Sequence, residues 1–264
     1  MDFIEAVVLA IIQGITEWLP ISSEGVSSLV MINFFDKSLV EAVFMAGWLH
    51  TGTLLAAIVY FWKDIKEIMR NLPKYFRNPA DREGYSGLTS FLLISTAFTA
   101  IIGAPLLFFS LDNIDFAGGN AMAFIGVLLV VTGLIQKFIR PSSIFAGTTR
   151  LKDAALVGII QAFSVLPGLS RSGLTTSTLL LRKHDPEYAL KLSFLMSIPA
   201  VLVAEIGLLL LQKVTFDVFS LVAILVSFLL GLLTLGSLLR IAQRVNFGYF
   251  CIFLGALSML AVLL

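Results

Sequence analysis

Pro167-Gly168-Leu169-Ser170-Arg171-Ser172-Gly173 interrupts an apolar run that opens near Ala154 and closes near Leu181 as a short Thr-rich segment. Neither side of the break is long enough to cross a bilayer, which takes about 20 apolar residues. A break of this composition inside apolar sequence predicts a re-entrant hairpin, because irregular backbone reaches membrane depth only where protein or a wet cavity covers it. The same pattern occurs at the start of the chain. An apolar stretch to Leu19 breaks at Pro20 and at Ser22-Ser23-Glu24-Gly25, then resumes to about Phe35. The opening Met-Asp-Phe-Ile-Glu lacks the basic segment of a cleavable signal peptide, so this first stretch is read as part of the fold. A shift of 148 residues sets Ile11-Ile12-Gln13 on Ile159-Ile160-Gln161, Ser22 on Ser170, Gly25 on Gly173 and Ser27-Ser28 on Thr175-Thr176.

Outward from the two hairpins, the rest of the chain reads as membrane spans. Of 264 residues 58% are hydrophobic and 13% charged, with a mean hydropathy of +0.96; soluble domains carry about 25% charged residues. A soluble enzyme and a nucleic-acid partner are both excluded. The single Cys251 excludes a disulfide framework and a cysteine metal site. Spans are expected near 39–62, 87–109, 120–139, 187–211, 217–238 and 246–264, giving an all-α polytopic protein of about six transmembrane helices and two re-entrant hairpins in a single domain. Lys63, Lys66, Arg70, Lys74, Arg77, Arg82, Lys137, Arg140, Arg150, Lys152, Arg182, Lys183, Arg240 and Arg244 all fall on one side of that threading, against Lys37 and Lys213 on the other. Basic residues collect in the cytoplasm, so both termini are expected outside and the hairpins enter from opposite faces. That makes an inverted repeat, about 1–110 and 150–240, an architecture that places ligand sites at the midplane where broken helices meet.

Ionisable residues within such segments are costly and mark function by default; here they are Glu17, Glu24, His50, Arg171 and Glu205. Arg171 sits among hydroxyls and backbone amides just ahead of a helix start, the parts of a phosphate site. The first hairpin has the same hydroxyls, Ser22 and Ser23, but supplies carboxylates. Gln13 and Glu17, four apart, share a helix face pointing at the break. A carboxylate beside an anion pocket needs a divalent cation or a proton between them, so Glu17 is either a metal ligand or a general base; a purely structural Glu17–Arg171 bridge is the bland alternative. Glu24 divides evenly between site and scaffold. His50, in the small-residue run Leu49-His50-Thr51-Gly52-Thr53, reads first as an interhelical hydrogen bonder. Glu205 reads as a cavity or packing residue, and His184, between Lys183 and Asp185, as interfacial.

Two longer motifs resemble those of the undecaprenyl-diphosphate phosphatases, the bacitracin-resistance proteins: Gln13-Gly14-Ile15-Thr16-Glu17-Trp18-Leu19-Pro20-Ile21-Ser22-Ser23 and Pro167-Gly168-Leu169-Ser170-Arg171-Ser172-Gly173-Leu174-Thr175. Leu54-Leu55-Ala56 after Gly52 and Ser193-Phe194-Leu195 before Pro199 extend the likeness over essentially the whole chain. The resemblance implies a plasma-membrane phosphatase that takes the terminal phosphate from a C55-type polyprenyl diphosphate, needs Mg²⁺ or Ca²⁺, opens toward the outer face and allows a homodimer. By position it implies Glu17 as the essential acid and metal ligand and Gln13 as its partner. Ser22 and Ser23 become phosphate-side hydroxyls, and Gly168, Ser170, Arg171, Ser172, Gly173 and Thr175 the diphosphate cradle. Many members continue Ser-Ser as Thr-Gly-His, whereas this chain has Glu24-Gly25-Val26. The histidine often given a catalytic role is therefore absent, and Glu24 or His50 is its candidate replacement, unless none is required.

The favoured mechanism has Glu17 activate water with the metal while Arg171 and the loop amides stabilise departing charge; a Ser23 nucleophile is the runner-up. A polyprenyl-phosphate carrier or flippase is the alternative function, since facing broken hairpins also suit alternating access. A scaffold would have little reason to keep Glu17 and Arg171 together.

Overall fold

The computed structural model describes residues 2–78, 84–113, 118–139, 149–210 and 218–262. Among them are eleven α-helices, one short 3-10 turn and no strand: α1 (Phe3–Thr16), α2 (Ser23–Phe34), α3 (Leu39–Tyr60), α4 (Trp62–Arg77), α5 (Gly84–Asn113), α6 (Gly119–Phe138), α7 (Leu151–Ala162), α8 (Arg171–Leu181), α9 (Pro186–Leu210), α10 (Val218–Arg244) and α11 (Gly248–Ala261). Five are long and apolar enough to cross a membrane, namely α3, α5, α6, α9 and α10. The chain is an all-helical polytopic membrane protein. The sixth expected span differs: α11 has 14 residues, short of a full crossing, and pairs along its length with α6. That seam is made of small residues, with Gly126 against Gly255 and Gly133 against Gly248, so the two backbones approach closely.

Both expected hairpins are present, as α1–α2 and α7–α8. Helix α1 starts in a capping box, Asp2 accepting the Glu5 backbone N–H at 2.8 Å and Glu5 accepting that of Asp2 at 2.9 Å. It stops at Thr16, four residues before Pro20, whose missing N–H and ring forbid continuation. Ser22 then takes a left-handed backbone, φ 63°, and caps α2. On the other hairpin Gly168, φ 107°, makes the equivalent reversal before Ser170 caps α8.

The hairpins are buried by helices from the far half of the sequence: α1 packs on α10, and α7 on α5. Gly14 of α1 and Gly52 of α3 permit the approach to α10; a Cβ on Gly14 would stand 2.8 Å from the Leu230 Cβ. Gly231 of α10 faces Thr53, Ala56 and Trp18, and Gly236 faces Tyr60, so both serve internal packing. One apolar core joins α1, α2, α3, α6 and α10 around Leu9, Met31, Leu49 and Ile125. The other gathers Trp18, Phe91, Phe194 and Leu179. The hairpin tips meet between them.

Three local readings are corrected. The basic stretch after the first span is no simple loop, because residues 62–77 form α4. Arg240 and Arg244, expected between spans, lie in the last turns of α10, which outruns its apolar stretch. His184 is fully buried instead of interfacial: its Nε2 lies 2.9 Å from Asp153, whose other oxygen accepts from Arg182 Nε at 2.6 Å. Arg82, Arg140 and Lys213 lie outside the described residues.

Candidate active site

The tips are joined by backbone and side-chain hydrogen bonds. Ser22 Oγ accepts from the amide of Gly25 at 3.2 Å, capping α2, and from the amide of Gly168 at 3.1 Å, tying one tip to the other. Ser172 Oγ donates back to the Leu19 carbonyl at 3.3 Å. Helix α6 holds both from behind. Gln136 donates to the Pro20 carbonyl at 2.6 Å; Thr132 donates to the Gly168 carbonyl at 2.9 Å and accepts from the Ser170 amide at 3.2 Å. Sequence reasoning missed this pair. The signal was two hydrogen-bonding side chains four apart in an otherwise apolar span, hence on one face.

In front of this joint stands an ionic centre. Glu17 Oε1 accepts from Arg171 Nη2 across the two hairpins. Its Oε2 accepts from Ser23 Oγ at 2.6 Å and Gln13 Nε2 at 3.0 Å, and lies 3.3 Å from His50 Nε2. His50 Nδ1 is 2.8 Å from the Ala46 carbonyl, an acceptor only, so Nδ1 carries hydrogen and the contact to Glu17 needs a second proton between Nε2 and Oε2. His50 is thus more than an interhelical packer: it reaches the carboxylate from α3. Two atoms here lack protein partners, Arg171 Nη1 and Gln13 Oε1. A guanidinium held by one arm with the other arm unmatched is a donor set for an anionic oxygen.

The centre forms one wall of a cavity of about 260 Å³. Of the expected site residues, Glu17, Ser22, Ser23, Glu24, His50, Ser170, Arg171 and Ser172 line it; Gln13, Gly168, Gly173 and Thr175 stand behind the wall. Thr175 is fully buried, donating to the Arg171 carbonyl at 2.8 Å and lying 2.6 Å from Ser193 Oγ, so it holds α8 on α9 and does not present a hydroxyl to the cavity. The Gly173 amide is likewise engaged, donating to Ser170 Oγ at 3.1 Å as the α8 cap. With Gly168 N on Ser22 and Ser170 N on Thr132, the loop amides left for a ligand are those of Arg171 and Ser172. Glu205 of α9 joins the polar lining, as do Thr96, Thr99, Gln161 and Ser164; its Oε2 is buried without a partner. Much of the remaining lining is apolar, with Gly103, Ala104 and Phe108 of α5 and Ala200, Val203 and Ala204 of α9. Phe108 and Val203 of this lining are each 47% exposed.

No group of three or more His, Cys, Asp or Glu side chains able to hold a metal occurs among the described residues. The carboxylates facing the cavity nonetheless fit a cation of the Mg²⁺ kind, which takes one or two carboxylates and completes its shell with water and substrate phosphate oxygens. The unpartnered Glu205 Oε2 is a donor atom of that kind.

Fold and site together describe a polytopic membrane protein with a buried ionic centre beside a cavity at the junction of two hairpins. A profile of the bacitracin resistance protein BacA family matches residues 6–260, and the chain belongs to that family. It is 50% identical, over 98% of both chains, to a protein of Methanococcoides burtonii named undecaprenyl-diphosphatase. Relatives with the same name in Haloarcula marismortui and Methanothrix thermoacetophila are each 37% identical over 98% of this chain, covering 97% and 96% of their own.

Proposed function

We propose that this protein hydrolyses the terminal phosphoanhydride of an undecaprenyl-type polyprenyl diphosphate, releasing inorganic phosphate and returning the monophosphate carrier for surface glycan synthesis. The observation that carries the reading is that Arg171, whose Nη1 is buried without a protein partner, lines a cavity whose walls are largely apolar. The ligand must be anionic at one end and greasy at the other. A volume of about 260 Å³ falls below the range of about 300–1,000 Å³ that drug-sized ligands take, so a C55 tail extends out of the cavity, past the exposed Phe108 of α5 and Val203 of α9. The diphosphate head lies against Arg171 Nη1 and the amides of Arg171 and Ser172, donors already fixed by the joint between the tips.

Glu17 orients this arrangement by holding Arg171 on one oxygen and Ser23, Gln13 and His50 at the other. One contact favours a covalent route over direct attack by water: Ser23 Oγ, 2.6 Å from Glu17 Oε2, faces the cavity with its proton already directed at a carboxylate. In that route Ser23 Oγ bonds to the terminal phosphorus and its proton passes to Glu17. The bond from that phosphorus to the bridging oxygen breaks, and the polyprenyl monophosphate leaves. Water then cleaves the serine phosphate and restores the hydroxyl. One or two of Glu17, Glu24 and Glu205, the carboxylates that line the cavity, would hold a divalent cation, which would supply charge neutralisation. The site opens toward the outer face, and both termini lie outside. The carrier alternative draws no support from the relatives' names.

The test is phosphate release from a C55 polyprenyl diphosphate by the purified protein in detergent, with Mg²⁺, with Ca²⁺ and with chelator. Release that needs the cation and disappears in Glu17→Gln and Arg171→Ala is expected. A folded wild type that binds the lipid and releases nothing refutes the enzyme and leaves the carrier. Rapid quench decides the route: a phosphoserine burst lost in Ser23→Ala supports attack by Ser23, and release without it refutes that step.

A further inference from the structure

We propose that α4 is an interfacial helix whose basic arc binds the headgroups of anionic phospholipids. Helix α4 begins at Trp62, two residues after the span α3 ends at Tyr60, and none of its side chains is fully buried. It is nevertheless fixed at the membrane boundary. Ile65 and Ile68 pack on the core, Asp64 accepts from Lys191 of α9 at 2.7 Å, and Asn71 donates to Ser86 of α5 at 2.9 Å.

At 3.6 residues per turn each position advances about 100°. Trp62, Met69 and Phe76, 56%, 61% and 69% exposed, then fall within about 40° of one another and make an outward apolar stripe. Lys63, Lys66, Arg70, Lys74 and Arg77 occupy a neighbouring arc about 80° wide that contains no acid. The two acids of α4 lie outside it: Asp64 on the protein side with Lys191, Glu67 at the rim with Arg70 at 2.8 Å. The helix therefore shows three faces, one to its own protein, one apolar face to acyl chains and one cationic face to the headgroup layer.

Charge chooses the occupant. Zwitterionic headgroups offer such an arc no net attraction, whereas each Lys or Arg close to an anionic surface contributes about a fivefold preference. An apolar stripe beside a basic face is also how surface helices hold themselves in the interface. Neither feature belongs to the cavity chemistry, so the inference does not depend on the proposed reaction.

The chain supplies its own reporter. Of three tryptophans, Trp18 and Trp48 are 1% and 7% exposed and Trp62 is 56%. The full protein is reconstituted in bilayers containing equal fractions of phosphatidylcholine and phosphatidylglycerol, with bromine on the acyl chains of one lipid at a time. Tryptophan quenching by brominated phosphatidylglycerol is expected to exceed that by brominated phosphatidylcholine at least threefold, and a Trp62→Phe control should remove the difference. The excess should shrink at about 1 M salt, where the Debye length is about 3 Å. It should vanish when Lys63, Lys66, Arg70, Lys74 and Arg77 are all replaced by Gln; the salt arm uses the wild type and stands even if that variant fails to fold. Equal quenching by the two lipids overturns the proposal and leaves the arc to a soluble acidic partner.

Discussion

Replacing Arg171 by Met keeps most of the side chain's length and removes the charge facing Glu17, whose own side chain is only 5% exposed. Breaking a buried ion pair from one side costs about 3–5 kcal/mol, because the remaining charge stays desolvated without its partner. Here Ser23, Gln13 and His50 still serve Oε2, which puts the loss at the low end, about 3 kcal/mol. At about 2–4 °C per kcal/mol for a chain near this size, the melting temperature in detergent falls by about 6–12 °C. Glu17→Gln strands the guanidinium instead and should cost a similar amount. The double variant Glu17→Gln/Arg171→Met removes both charges, and its loss should be about 1 kcal/mol, well below the sum of the singles. Phosphate release, by contrast, should be absent in all three. Thermal unfolding followed by near-UV circular dichroism gives the first quantity and the phosphate assay the second. Additive losses in the double variant would refute the argument that the two hairpins are locked by compensating charge. Recovery of activity along with stability would refute the assignment of both residues to chemistry.

Gly168→Ala tests the tip reversal: φ 107° strains any L side chain, and the new Cβ would stand 2.8 Å from both the Ile125 carbonyl and the Leu128 Cβ. A loss of about 2–4 kcal/mol is expected by thermal melting, with phosphate release reduced in step because Ser22 loses the Gly168 amide. Glu205→Gln keeps shape while removing a carboxylate that has no protein partner for Oε2. It should leave the melting temperature within about 2 °C and raise the Mg²⁺ concentration for half-maximal release about tenfold, the effect typical of losing a supporting ligand; an unchanged metal titration would make Glu205 a packing residue.

The two hairpins were legible because proline, glycine and hydroxyl clusters interrupt apolar runs too short to span, a signal both local and strong. The Gln13–Glu17 pairing followed from helical spacing, and Gln13 Nε2 does lie 3.0 Å from Glu17 Oε2. What escaped was of two kinds. Helix α4 was hidden by averaging: its basic residues make the segment look like a loop, and only the seven-residue recurrence of Trp62, Met69 and Phe76 betrays a helix lying along a surface. The second kind has no local signature. His184 looks interfacial between Lys183 and Asp185, and its burial depends on Asp153, 31 residues earlier. His50 could be named but not placed, since its approach to Glu17 follows from α3 packing beside α1. The resemblance implies Ser22 as a phosphate-side hydroxyl and Thr175 as part of the diphosphate cradle, and tertiary neighbours outside each one's own motif engage both: the Gly168 amide for Ser22 and Ser193 for Thr175.

The way the hairpins are held at their bases bears on how firmly the tips can be joined. Glu5 at the start of α1 pairs with Lys37 just after α2 at 3.3 Å, and Asp153 at the start of α7 pairs with Arg182 and His184 just after α8. Glu5 and Asp153 are separated by the same 148 residues that relate the tips. Each hairpin is therefore clasped at its base by a carboxylate from its first helix and a cation beyond its second, while α10 and α5 cover the first helices from the opposite half of the chain. A hairpin fixed at the base and along one side keeps freedom only at its tip, and there the bonds of Ser22, Ser172, Thr132 and Gln136 remove it. This is the condition for preorganised electrostatics: Arg171 and Glu17 come from different hairpins, so their alignment depends on every one of these attachments, and the donors need no rearrangement when charge moves. It also explains why the motif hydroxyls are already engaged: Ser22, Ser170 and Ser172 line the cavity and hold the loops at the same time.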